Sequence, residues 1–102
     1  MLTEEQRIKM YKRKPWKRLR EVVLIRDKYV CQYFKRFGIY KTATTVHHLF
    51  PTKERPELFY DERNLISVCD EAHNILEDRT NGMLTDEGIK IQRLFARKRG
   101  IK

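Results

Sequence analysis

Three histidines and two asparagines carry the chemistry that this chain can offer. His47 and His48 are adjacent, Asn64 follows after a long interval, and His73 is followed at once by Asn74. The chain has no other histidine. Neutral imidazole is the commonest nitrogen ligand for a divalent metal, and its ordinary pKa of about 6.5 also suits proton abstraction near neutrality. One member of such a group can hold an ion while its neighbour takes a proton. His47 and His48 end a stretch rich in Tyr, Thr and Val that reads as a strand, and adjacent side chains on a strand point to opposite faces. The two rings can therefore do different jobs.

Those residues and their surroundings resemble the HNH endonucleases of the ββα-metal class. The resemblance runs roughly from Tyr11 to Arg79. It is carried by Trp16-Lys17-Arg18-Leu19-Arg20-Glu21, Arg26-Asp27, Cys31-Gln32, Val46-His47-His48-Leu49, Asn64-Leu65-Ile66-Ser67-Val68-Cys69 and His73-Asn74. It is strongest with the small stand-alone members common in bacteriophages and their hosts.

The resemblance implies an α+β fold, a single small domain with a β-hairpin and helix at its core, flanked by N- and C-terminal helices. Residues 1–15 would be a basic N-terminal arm, 16–79 the HNH core and 80–102 a C-terminal helix. It further implies that His47 binds the metal, that His48 is the general base, that His73 is a second ligand, and that Asn64 holds the base's segment by hydrogen bonding. The implied reaction is metal-assisted hydrolysis of a phosphodiester in double-stranded DNA, by nicking or cleaving. His48 would activate water for in-line attack, leaving 5′-phosphate and 3′-hydroxyl ends. Some small relatives act beside the phage terminase during genome packaging, which makes terminase a candidate partner. A catalytically inactive DNA-binding module of the same fold is the alternative.

Glu77 stands four residues after His73, one turn further along the same helix face. Some relatives have a histidine ligand at this offset. A glutamate there is a harder oxygen donor that favours Mg²⁺ or Mn²⁺ over Zn²⁺, or else it is an ordinary exposed helix carboxylate. Many HNH relatives also carry two C-x-x-C knuckles that bind a structural zinc. Here Cys31 is followed three residues on by Phe34, and Cys69 by Ala72. Half of each knuckle is missing, so no four-thiolate zinc site is expected. Two reduced, buried thiols are expected instead, with Phe34 and Ala72 filling the space.

The net charge of +9 is unevenly placed over the 102 residues. Residues 1–36 hold 12 Lys/Arg against 4 Asp/Glu, residues 37–72 hold 4 against 6, and residues 73–102 hold 7 against 4. Two basic arms flank a slightly acidic centre that contains the histidine pair. This distribution suits a polyanion held by its phosphates. Lys17, Arg18, Arg20, Arg63 and Arg79 are the candidate DNA contacts, and Arg63 or Arg79 could also stabilise charge on the reacting phosphate. The chain is short enough for one domain with a modest core. It lacks an apolar run of about 18 residues, and its first residues lack the basic and apolar regions of a signal peptide, so a cytoplasmic protein of a bacterial or phage-infected cell is expected, with no membrane partner.

Local signals place the elements. Thr3 and Gln6 match a capping box that opens a short basic helix, which Pro15 interrupts. Apolar spacing from Trp16 through Leu19, Val22, Val23 and Ile25 predicts a second helix to about Arg26, ended by Asp27-Lys28. Tyr29–Lys35 reads as a strand, Phe37-Gly38 as a turn, and Ile39–His47 as the partner strand. Leu49–Arg63, with Pro51 and Pro56, reads as a long functional loop. Asp70-Glu71 suits a helix start, with helix from Ala72 to about Asp78. After a turn at Asn81-Gly82, Thr85-Asp86-Glu87 begins a last helix striped with Ile91, Leu94 and Phe95. Its tail, Arg97-Lys98-Arg99, is either a solvated end or a phosphate contact.

Overall fold

A computed structural model describes residues 3–102. Helix α1 spans Glu4–Lys12 and α2 Lys14–Arg26; a single helical turn, α3, covers Gln32–Lys35. Strands β1 (Thr45–His48) and β2 (Leu65–Val68) form one antiparallel pair, followed by α4 (Asp70–Leu76) and α5 (Asp86–Arg99). This is an α+β architecture in which helices cover both faces of a small sheet.

The expected boundaries hold where side chains set them locally. The Thr3 hydroxyl accepts from Gln6 N while the Gln6 side chain accepts from Thr3 N, completing the capping box of α1. Pro15 sits in the first turn of α2, where its missing N–H costs nothing. Thr85 caps α5 by accepting from Gly88 N at 3.0 Å, and Gly100 ends it with φ of 70°.

The hairpin is not where the sequence places it. Tyr29–Lys35 does not form a strand: only Val30 bridges to Thr42, and the chain then closes into α3. Lys28 and Tyr29 adopt left-handed backbone, with φ of 57° and 56°, which turns the chain sharply out of α2. The strand that β1 pairs with is β2, across the connection 49–64, in the register Thr45 to Val68, Val46 to Ser67, His47 to Ile66 and His48 to Leu65.

Sheet alternation divides the core in two. Val46 and Leu65 pack with Trp16, Val23, Leu24 and Phe59 against α2, while Ile66 and Val68 pack with Cys31, Ala72, Leu76 and Ile91 against α4 and α5. The α2 stripe differs from the expected one. Val22 and Ile25 are exposed, and Leu24 is buried in their place. Ser67 joins α2 to β2 by polar contacts instead, its N–H donating to Asp27 and its hydroxyl to Val23 O. Gly88 sets α5 against the end of α4, because a Cβ there would lie 2.0 Å from the Leu76 carbonyl oxygen. Among the described residues no helix is long and apolar enough to cross a membrane.

Cys31 and Cys69 are both free. Cys31 is wholly buried beside Ala72, with Phe34 and Cys69 packed against the same cluster. Burial pushes the Cys69 thiol above its usual range, which keeps it protonated.

Candidate metal centre and active site

Alternation along β1 sends its two histidines apart. His47 faces α4, where its ring centroid lies 5.4 Å from that of His73. His48 faces α2 and stacks on Trp16 at 5.1 Å with an interplanar angle of 17°. Both rings nevertheless border one cleft, together with His73 and Glu77.

On the α4 side, His47, His73 and Glu77 each bring a donor atom within 4.8 Å of the others. Glu77 is therefore part of this group and not a solvated carboxylate. His47 Nε2 is buried and has no hydrogen-bond partner. Such an orphaned atom is costly unless something occupies the space in front of it. His73 Nε2 lies 2.7 Å from Glu77 Oε2, and its Nδ1 lies 3.2 Å from the Arg79 guanidinium. Because a guanidinium can only donate, Nδ1 accepts and the ring proton sits on Nε2, aimed at the carboxylate. A divalent ion bound there would displace that proton. Burial is the main cause that lowers the His47 pKa to about 3, with His73 adding to it. The ring is thus neutral, as a ligand must be. Burial alone would raise the Glu77 carboxyl, but His73, His47 and Arg79 outweigh it and hold it ionised, below its usual range. Two neutral nitrogens and one carboxylate oxygen fit a divalent cation.

On the α2 side, His48 Nε2 lies 3.2 Å from the Phe59 carbonyl. A carbonyl only accepts, so Nε2 carries the proton and Nδ1 keeps its lone pair. The Tyr11 hydroxyl, from α1, donates to that lone pair at 3.4 Å. Burial, partly opposed by the Phe59 hydrogen bond, brings the His48 pKa down to about 4. The ring is neutral and carries its basic nitrogen at Nδ1.

Asn64 is wholly buried at the head of β2. Its Oδ1 accepts from Phe50 N at 2.8 Å, and its Nδ2 donates to the carbonyls of Phe50 and Leu58, each at 3.2 Å. With Leu49 N donating to its backbone carbonyl, Asn64 ties the segment leaving His48 to the start of β2.

The basic candidates are scattered. Lys17 and Arg18 are exposed on α2. Arg20 borders the cleft and donates to Thr44 O at 2.7 Å. Arg79 sits behind His73. Arg63 is away from the cleft, gripping Asp61 through two hydrogen bonds and reaching the Gly100 carbonyl. Tyr11, Phe59, Arg7 and Thr52 are the cleft or base-orienting residues that sequence reasoning does not single out. Tyr11 lay within the span of the resemblance, but nothing in its spacing tied it to His48.

No family model matches this sequence, and no curated protein matches it. Among solved structures, the chain is similar to the crystal structure of the HNH endonuclease of the deep-sea thermophilic bacteriophage GVE2 with manganese ion. The TM-score is 0.67 and the identity 31%, over 69% of this chain and 76% of that one. With that likeness in both fold and sequence, the chain belongs to the HNH endonuclease family.

Proposed function

We propose that the protein is a metal-dependent DNA endonuclease in which His47, His73 and Glu77 hold the ion, His48 is the general base and Asn64 positions the base's segment. One observation carries the reading. A group of three metal-ligating side chains, one with an unpartnered buried nitrogen, shares a cleft with a neutral histidine whose Nδ1 lone pair faces a displaceable hydroxyl. The manganese of the GVE2 structure supports the same kind of ion here, Mn²⁺ or Mg²⁺.

A divalent ion in this site supplies Lewis-acid stabilisation of the negative charge on the phosphate. His48 Nδ1 accepts a proton from water, whose oxygen attacks phosphorus in line as the bond to the 3′ oxygen breaks and that oxygen takes a proton from solvent. The Tyr11 hydroxyl yields the lone pair for that step. Phe59 O keeps the Nε2 proton in place throughout, so the ring gains its second proton at a defined atom. Lys17, Arg18 and Arg20 extend the basic surface beside the cleft for flanking phosphates.

Plasmid relaxation with Mg²⁺, Mn²⁺ and EDTA in parallel tests the proposal. Nicking with either ion and none in EDTA is expected, and His48→Ala should lose about a hundredfold or more in single-turnover rate while still binding DNA. DNA binding without relaxation under any ion would instead favour an inactive binding module of the same fold.

A further inference from the structure

Among the described residues, three side-chain polar atoms are buried without a hydrogen-bond partner: Arg7 Nε, His47 Nε2 and Thr52 Oγ1. All three belong to residues that border the same cleft. Native proteins carry few such atoms, and each leaves a donor or acceptor desolvated for no return unless a ligand completes it. The metal accounts for His47 alone. Arg7 and Thr52 come from elsewhere, Arg7 from α1 and Thr52 from the connection 49–64, so a second occupant would be needed to complete both.

The surroundings identify its chemistry. Tyr11 lies one turn beyond Arg7 on the same face of α1, and its hydroxyl reaches His48 Nδ1. Thr52 is 7% exposed and lines the cleft. No side chain of α1 is buried in the core, yet Arg7 turns inward while Lys9 and Lys12 stay exposed. A guanidinium offers donors only, and a hydroxyl on the same cleft can add another, a set that suits the oxygens of a phosphate.

We propose that Arg7 and Thr52 form an oxyanion subsite that holds a nonbridging oxygen of the reacting DNA phosphate beside His48, so that α1 completes the active site. This rests on the nuclease reading above and assigns to Arg7 the charge-stabilising role for which sequence alone suggests Arg63 or Arg79. Arg63 is engaged with Asp61 and stands away from the cleft. Arg79 faces the metal ligands through His73. Arg7 delivers its charge to the base side, where the water attacks.

The test compares Arg7→Ala, Arg7→Lys, Thr52→Val and, as a control for charge on α1, Lys9→Ala, all in the full chain. Single-turnover cleavage is measured with Mn²⁺ at saturating protein. Arg7→Ala should lose about a hundredfold in rate, the scale of removing one oxyanion donor. Thr52→Val should lose about tenfold. Arg7→Lys should fall between wild type and Arg7→Ala, and Lys9→Ala should keep the saturated rate. Unchanged melting temperature in Arg7→Ala separates this from unfolding. In EDTA, inorganic phosphate should shift the NMR signals of Thr52 and His48 in the wild type and not in Arg7→Ala. The inference is overturned if the wild type cleaves and Arg7→Ala cleaves equally well, if Lys9→Ala loses as much as Arg7→Ala, or if phosphate shifts both proteins alike. A wild type that fails to cleave with any ion, while still responding to phosphate through Arg7, would sink the nuclease reading and leave the subsite standing.

Discussion

Acidifying the metal-free protein should unfold it by way of the histidine pair. Burial holds His47 to a pKa of about 3 and His48 to about 4, whereas each returns to about 6.5 in the unfolded chain. Below that value the unfolded state takes up two protons that the folded state refuses. Stability is therefore fully present above the unfolded pKa and is lost as pH falls towards the folded values. Each pH unit in this window costs about 1.4 kcal/mol per histidine. From about pH 6.5, where each unfolded imidazole is already half protonated, to pH 5 the pair together loses about 3 kcal/mol, a large share of the roughly 5–15 kcal/mol that a domain possesses. Urea denaturation in EDTA at several pH values over this range measures the loss directly. The midpoint should fall steeply, and His47→Gln should remove about half of the slope whatever it does to absolute stability. A midpoint that stays level between about pH 7 and pH 5, or a slope untouched by His47→Gln, would refute the assignment of two buried neutral rings.

His47→Ala and His73→Ala should each weaken Mn²⁺ binding by tenfold or more, about the scale of losing even an indirect partner of a ligand; unchanged calorimetric affinity in both would move the metal elsewhere. DNA affinity should drop steeply between about 50 and 200 mM salt, and a flat dependence would contradict phosphate contacts by the basic residues. Cys31→Ser or Cys69→Ser should cost about 1 to 3 kcal/mol as ordinary packing losses. Elemental analysis after EDTA dialysis should find no stoichiometric structural zinc; one retained zinc per chain, whose removal unfolds the protein, would overturn that expectation.

What could be read from the sequence followed from how local each signal is. Helix ends are written in one or two side chains, so Thr3, Pro15 and Thr85 mark theirs correctly. The histidines were legible because so few residue types perform this chemistry. The strand pairing was not. Tyr29, Tyr33 and Phe34 have strong strand preference, but that preference measures fit to a partner surface. The partner β1 takes is Leu65–Val68, four buried residues with no polar alternation to advertise a strand. Val22 and Ile25 satisfied helical spacing without being buried, because α2 has apolar residues around more of its circumference than the sheet covers. Arg7 and Tyr11 were invisible as site residues for a different reason. Their place on the cleft comes from the way α1 folds back across α2, with Tyr11 edge-on to Trp16 and Phe59, which no periodicity encodes.

The pairing of β1 with β2 also orders events in time. His47 and His48 lie before the connection 49–64, and Asn64, His73 and Glu77 after it or at its far end. No short local segment of the chain holds His48 together with His47, His73 and Glu77 at their final spacing. They meet only when the ends of that connection close, which is an entropically costly step that local helices cannot anticipate. A nascent chain on the ribosome, or one that has opened at this pairing, therefore lacks the assembled group of side chains. The grouping of these side chains forms when this long-range pairing closes and comes apart when it opens.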